Sequence, residues 1–228
     1  MSLKETLKQE TQKEREKLRH MSAKDKVWYI WEYYKVHIFL LFVFILIIYL
    51  IGNIFYNKTF TNQLYYVVIN NTDILNTSFD EFNQEFKDYM NYGKKDTIRT
   101  DGSMVIKHGD ISSELEYGNM AKISAIVAVS ELDMMICDQV NIDHYNELDA
   151  FQDLEQILPD DLWQKVKDSA YYAKNSQNQE IACAIDLNGT KFTQKTGVQL
   201  NPCYFGVVSN TQHIDTIISW LRFVLDLP

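Results

Sequence analysis

An α/β domain carried on a single N-terminal transmembrane helix is the architecture this sequence predicts, and three observations predict it. Val36 to Asn57 contains no Asp, Glu, Lys or Arg, and Ile38 to Ile51 is an unbroken apolar run once Tyr49 is counted. From Gln63 onward, short β-rich runs alternate with helical segments, the pattern of strands and helices that share one core. Charge divides at the same place: residues 1–56 hold nine Lys/Arg against six Asp/Glu, whereas residues 57–228 hold thirteen against twenty-five. The whole chain of 228 residues carries a net charge of −9, which argues against nucleic acid as a partner.

The N-terminal elements follow from charge and aromatic placement. Residues 1–21 form a charged cytoplasmic arm in which Leu3, Leu7 and Leu18 are the few spaced apolar residues. It reads as a solvated helix or a disordered arm, with docking on anionic lipid heads or a cytoplasmic partner as the alternative. Ser22 with Asp25 three residues later resembles a capping box, so the anchoring helix is expected over 22–56, with the span at about 36–57. That span would rise about 33 Å in helical form, enough for a hydrocarbon core of about 30 Å. Trp28, Trp31, Tyr33 and Tyr34 on the basic side and Tyr56 on the other are placed as interfacial aromatics. Lys24, Lys26 and Lys35 precede the run and Lys58 stands nearly alone after it, which orients the N-terminus to the cytoplasm. No Ala-x-Ala site follows, so the segment reads as a retained anchor in the cell membrane rather than a cleaved signal.

After a linker at 57–62, an extracytoplasmic domain is expected over 63–228. Leu64 to Ile69 suits a buried strand. Ser78 and Glu81 read as a capping box for a helix whose Phe79, Phe82, Phe86 and Met90 share one face, with Gly93 as its stop. Thr97 to Thr100 reads as the second strand, closed by Asp101-Gly102 turn chemistry. A helix from about Tyr117 to Ser130 and a third strand from Leu132 to Cys137 complete a β-α-β-α-β unit. Right-handed crossovers then make the sheet mainly parallel, in the order 2-1-3. Further on, Ala150 to Leu154 reads as a short helix stopped at Pro159, and Pro159 to Leu162 opens another. Ala170 to Ala173 and Ile181 to Leu187 flank a polar turn at Asn175 to Asn178, a hairpin signature. Pro202 precedes a last strand, Cys203 to Val208, and Ile214 to Leu225 closes as an amphipathic helix.

Several of these runs are familiar together. Glu131 to Asp138, then Ala150-Phe151-Gln152-Asp153-Leu154, then Tyr172 to Asp186, and the close Tyr204-Phe205-Gly206-Val207-Val208-Ser209-Asn210 ahead of Trp220-Leu221-Arg222-Phe223 resemble extracellular solute-binding proteins of ABC importers. The resemblance spans about residues 63–228. It implies a periplasmic-binding-protein-like lobe that binds a small solute, and a relation to a membrane transporter. The chain beyond the span is long enough for one lobe rather than a two-lobed clamp. No Cys precedes Cys137, so the tether is a helix where the family uses a lipidated Cys.

In open parallel sheets, ligands meet the carboxyl ends of strands near the switch in strand order, which nominates Asn70, Asn71, Asp101 and Asp138. The resemblance would add Asp186 and Tyr204. The competing reading is that Asn and Asp at strand ends cap helices and make turns. No nucleotide-binding glycine pattern, nucleophile elbow or metalloprotease motif occurs, so no enzyme and no cofactor are expected. His20, His37, His108, His144 and His213 are scattered, and Cys137, Asp138 and His144 match no zinc spacing, so no metal is expected either. Three cysteines leave at least one unpaired; Cys183 and Cys203 lie in strands that could be neighbours, making a disulfide one option and buried thiols the other. The expected function is a bacterial single-pass membrane protein whose outer domain binds a small solute or a neighbouring membrane protein. The alternative is an accessory or scaffolding subunit of a membrane complex with no small-molecule ligand.

Overall fold

The computed structural model describes Arg19 and residues 21–60, 62–71, 77–107 and 113–227. The charged arm before Arg19, His20 and His108 lie outside the described residues. The chain forms two compact units, residues 1–57 and 58–228.

The first unit is built on α1, Ala23–Phe60, 38 residues long. Ser22 caps it: its hydroxyl donates to Asp25 Oδ2 at 2.6 Å and accepts the Asp25 backbone N–H at 3.3 Å. The stretch Tyr34–Tyr56 is long and apolar enough to cross a membrane, and none of it is buried. At about 1.5 Å per residue, those 23 residues rise about 34 Å. Trp28, Trp31, Tyr34 and Tyr56 are all exposed, and Tyr33 lies on the same helix.

The second unit is an α/β domain with a six-stranded mixed sheet. Its elements are β1 (Asn62–Asn70), α2 (Asp80–Tyr89), β2 (Thr97–Val105), α3 (Glu114–Ala128), β3 (Met134–Cys137), α4 (Gln139–Asn146), α5 (Leu154–Ile157), α6 (Asp160–Val166), β4 (Ala170–Lys174), β5 (Glu180–Asp186), α7 (Lys191–Thr196), β6 (Tyr204–Val207) and α8 (Ile214–Val224). The strand order is β2-β1-β3-β6-β5-β4. β1 is parallel to both β2 and β3, which is the expected 2-1-3 arrangement. The remaining three pairings are antiparallel, so the sheet is mixed rather than mainly parallel. The reason is β6, which returns between β3 and β5 instead of extending an edge.

Each face of the sheet carries its own core, because strand side chains alternate. On one face Tyr66, Val68, Met134, Ile136 and Phe205 meet α2, α6, α7 and α8. Aromatic rings dominate there: Trp220 stacks on Phe205 with centroids 5.4 Å apart, and Phe82 meets Phe192 edge-on at 5.3 Å. On the other face Tyr65, Val67, Ile69, Met135 and Cys137 meet α3 and α4.

Asp133, 1% exposed at the entry to β3, ties three segments together. Its carboxylate accepts the Tyr65 backbone N–H at 2.7 Å, the Thr211 hydroxyl at 2.5 Å and an interaction with His213 Nδ1 at 2.9 Å. The hydrogen bond from His213 to the Asp133 carboxylate raises the His213 pKa above its ordinary value, against the opposing effect of burial.

Local details depart from the sequence reading in instructive ways. α2 begins at Phe79, which makes no side-chain cap, rather than in a Ser78–Glu81 box, and Phe79 instead stacks against Phe192. The helix stops at Asn91, whose φ of 54° supplies the left-handed turn expected of Gly93. The box that does form is Ser113 with Glu116, which starts α3 earlier than expected. Asp101-Gly102 is no turn: β2 runs on to Val105, with a register shift against β1 between Val67 and Ile69. A Cβ at Gly102 would enter the Phe79 ring, so the bulge and its glycine serve that close approach. Phe151 bridges Val208, leaving Ala150 to Gln152 extended, and the short helix starts only at Leu154 behind its Asp153 cap. The β4–β5 hairpin stands as expected, with Asn175 Oδ1 accepting the Gln177 and Gln179 N–H groups.

Of the two options for Cys183 and Cys203, the buried thiols are the ones present: no disulfide joins them, and all three cysteines are buried and free. In the β5–β6 register Ile185 faces Phe205, so Cys203 lies beside Leu187, four residues from Cys183 along β5. The two thiols also belong to opposite faces of the sheet. Burial pushes Cys183 and Cys203 each up to about 12.

Candidate binding cavity at the β2 edge

Among the described residues β2 is an edge strand with β1 as its one neighbour, and its alternating side chains reach both faces of the sheet. Thr100 points toward α2: Asn83 Nδ2 donates to Thr100 Oγ1 at 2.8 Å, while Asn83 Oδ1 accepts the Tyr66 hydroxyl at 2.8 Å. Asn83 is thereby held rigidly between the core and the edge. Burial keeps the Tyr66 phenol well above its ordinary pKa, so it remains a donor.

Arg99 and Asp101 point the other way, toward α3. The Arg99 guanidinium lies 4.3 Å from the centre of the Tyr65 ring and 4.0 Å from Glu131 Oε2. Lys122 of α3 reaches Asp101 Oδ2 at 2.5 Å, and Ser103 supplies Asp101 Oδ1 with an N–H at 3.0 Å and a hydroxyl at 2.6 Å. Burial raises the Asp101 pKa, but the hydrogen bonds from Lys122 and Ser103 outweigh it, and the carboxyl is held below its ordinary value. Asp101 reciprocally raises Lys122.

Tyr65, Arg99, Thr100, Asp101 and Lys122 line a cavity of about 590 Å³ that also takes in Phe79, Asp80 and Asn83 of the α2 entrance. That volume lies within the usual range for small-ligand sites, about 300–1,000 Å³. Its charged walls balance, with Arg99 and Lys122 against Asp80 and Asp101. Among the described residues, no group of His, Cys, Asp or Glu is arranged to hold a metal ion.

Of the six residues nominated from sequence, Asp101 alone lines this cavity. Asn70, Asn71 and Asp138 do come together at the carboxyl ends of β1 and β3, but they are engaged there with the fold itself. Asn70 Nδ2 donates to Gly102 O at 2.9 Å, holding the bulge. Asn71 Nδ2 donates to Asp138 Oδ2 at 3.0 Å, and Asp138 Oδ1 caps α4 by accepting the Asn141 N–H at 3.1 Å. Asp186 accepts backbone N–H groups of Asn188 and Cys203, at 3.0 and 3.3 Å. Tyr204 stacks on Tyr171 with centroids 4.8 Å apart. Asp138 thus caps a helix and Asp186 makes a local turn. Sequence reasoning missed Arg99, Lys122 and Asn83. One signal was present: Lys122 is the lone charged residue between Glu116 and Glu131, on an otherwise small and apolar helix.

The chain matches no family model, no curated protein and no solved structure.

Proposed function

We propose that this chain is a single-pass membrane protein, N-terminus cytoplasmic, whose extracytoplasmic α/β domain binds a small polar solute in the β2-edge cavity without transforming it. The observation that carries this reading is the convergence of Arg99, Lys122, Asp80 and Asp101 on one cavity of about 590 Å³. Two cations and two carboxylates suit a solute of balanced charge better than a strong anion or cation. The apolar helix supports a membrane tether through α1. The basic flank before the span supports the orientation.

The test uses full-length protein in lipid nanodiscs, melted in the presence of zwitterionic amino acids and of their singly charged fragments, acetate and methylamine. A zwitterion raises the melting temperature and the fragments do not; the double substitution Arg99→Ala, Lys122→Ala abolishes the effect. Protease added to intact cells removes the C-terminal domain, and carbonate does not release the chain from vesicles. Survival of the domain in intact cells overturns the topology.

A second reading has its own observation. β2 leaves nine residues of edge strand without a second neighbour among the described elements, and such an edge accepts an added strand from a partner. In that reading the domain is a scaffolding subunit of a membrane complex. A photo-crosslinker at exposed Ser103 that captures one partner in membranes, together with no solute shift, decides for it.

A further inference from the structure

β2 lies in unbroken parallel register with β1 from Ile98 to Asp101, and its bulge comes only after that run. Among the described residues nothing pairs with the other side of the run. Arg99 and Asp101 stand two residues apart, so both project from the sheet face that carries α3, while Thr100 between them projects toward α2. When two copies of a strand pair antiparallel about a two-fold axis normal to the sheet, facing residues share a sheet face, so the axis passes through a residue of the strand rather than between two. An axis at Arg99 sets Arg99 against itself, and an axis at Asp101 sets Asp101 against itself; like charges directly opposite are destabilising. An axis at Thr100 sets Arg99 of each copy against Asp101 of the other, with Thr100 facing Thr100. This edge is therefore charge-complementary to itself in one central register and repels itself in the registers on either side.

α3 supplies a second, independent observation. Its two flanks differ: Ser124, Val127 and Ala128 border a crevice against α4, whereas Asn119 and Lys122 reach β2, Asn119 Nδ2 donating to Val105 O at 3.1 Å and Lys122 Nζ to Asp101. On the β2 side, Leu115, Gly118, Lys122, Ala125 and Val129 recur at alternating steps of three and four residues, the spacing of a helix–helix seam. All of them are exposed, Leu115 at 63% and Val129 at 53%. A helix flank that meets only water is expected to be polar. This one carries a single charge, Lys122, which is already engaged by Asp101, and Gly118 and Ala125 are small enough for a second helix to approach closely.

We propose that the α/β domain pairs with a second copy of itself through antiparallel β2 strands centred on Thr100, the two α3 helices meeting along their Leu115 to Val129 strips on one face of the joined sheet. This rests on the edge-strand reading given above and names its partner. Each Asp101 then lies between Lys122 of its own copy and Arg99 of the other, so the buried charges balance. Two-fold closure uses each β2 edge once, which ends the assembly at two copies instead of leaving a free edge for further addition.

The experiment co-expresses full-length chains bearing two different tags, solubilises the membranes in mild detergent, recovers one tag and reads the other. Native chains recover each other. Arg99→Asp sets like charges opposite in a self-pair, as does Asp101→Arg, and each alone lowers self-recovery about tenfold. Mixed together, the two variants restore opposite charges at both facing positions and return recovery to the native level. Ala125→Trp, at an exposed position on the α3 strip, lowers self-recovery likewise with an unchanged melting temperature, and it decides the matter if a charge variant fails to fold. Native chains that do not recover each other, charge variants that still self-associate, a folded mixed pair that does not, or indifference to Ala125→Trp overturns the proposal. The Ser103 photo-crosslinker separates this failure from that of the edge-strand reading: a crosslink solely to a different protein overturns the second copy and keeps the edge as a docking site, whereas no crosslink of any kind removes both.

Discussion

Replacing Asp133 by Ala removes the acceptor on which β1, the segment after β6 and the entry to α8 converge. Three donors lose it: the Tyr65 N–H, the Thr211 hydroxyl and His213 Nδ1. Tyr65 and Thr211 are 6% and 8% exposed, so neither donor is readily recovered by water; His213 is more open and rehydrates. A buried donor left unpaired costs about 1–3 kcal/mol, which gives about 2–6 kcal/mol for the two. A mid-range loss of about 4 kcal/mol lowers the melting temperature of a domain this size by about 8–16 °C. The measurement is a near-ultraviolet circular dichroism melt of the full-length protein in nanodiscs, with amide exchange at Tyr65 as the local readout. The substitution accelerates Tyr65 exchange toward the global unfolding limit. A destabilisation under about 1 kcal/mol, within reach of an ordinary surface change, refutes the reasoning, because Asp133 would then not be the common acceptor of these segments.

Three further predictions follow from neighbouring geometry. The His213 pKa is raised by Asp133, so the stability it lends is fully present below its unfolded value near 6.5 and is lost as pH rises through the folded value. Melts across that window slope downward in the native protein, and His213→Gln flattens the slope; an unchanged slope rejects the assignment. Gly206→Ala sets a Cβ 2.7 Å from Phe151 Cε1 and 3.2 Å from Cys183 O, in the centre of the sheet, and destabilises by about 1–3 kcal/mol in a chemical denaturation series. Thiol titration of protein unfolded without reductant counts three reactive cysteines, and a count of one returns the Cys183–Cys203 bridge.

The parallel half of the sheet was legible because β1 and β3 are short apolar runs and helices with recognisable starts separate them from the more polar β2. The hairpin was legible through its asparagine turn. The position of β6 was not: periodicity marks Tyr204 to Val207 as a strand but says nothing about which strands it will part. Asp101-Gly102 misled for a related reason, since the same dipeptide serves turns and bulges, and the Phe79 ring that demands the glycine lies far away in sequence. Of the nominated residues, Asp101 lines the candidate cavity. Rules about carboxyl ends found Asn70, Asn71 and Asp138, which do gather there, but their polar atoms are used on the bulge, on each other and on the α4 cap. Arg99 and Lys122 share the candidate cavity because the fold brings a sheet edge and a helix flank together.

The order in which the sheet can be completed is set by where its last strand goes. β6 is the final strand in the chain, yet it sits between β3 and β5, each of which needs it as a neighbour. Until synthesis has passed Val207 and that segment has emerged, the nascent domain holds two separate β layers with bare inner margins, which are the surfaces most prone to pairing with other chains. A stop codon ahead of Cys203 therefore does not shorten this domain at its periphery. It splits the sheet down the middle, and such truncations are expected to be cleared or to aggregate rather than to leave a smaller working module.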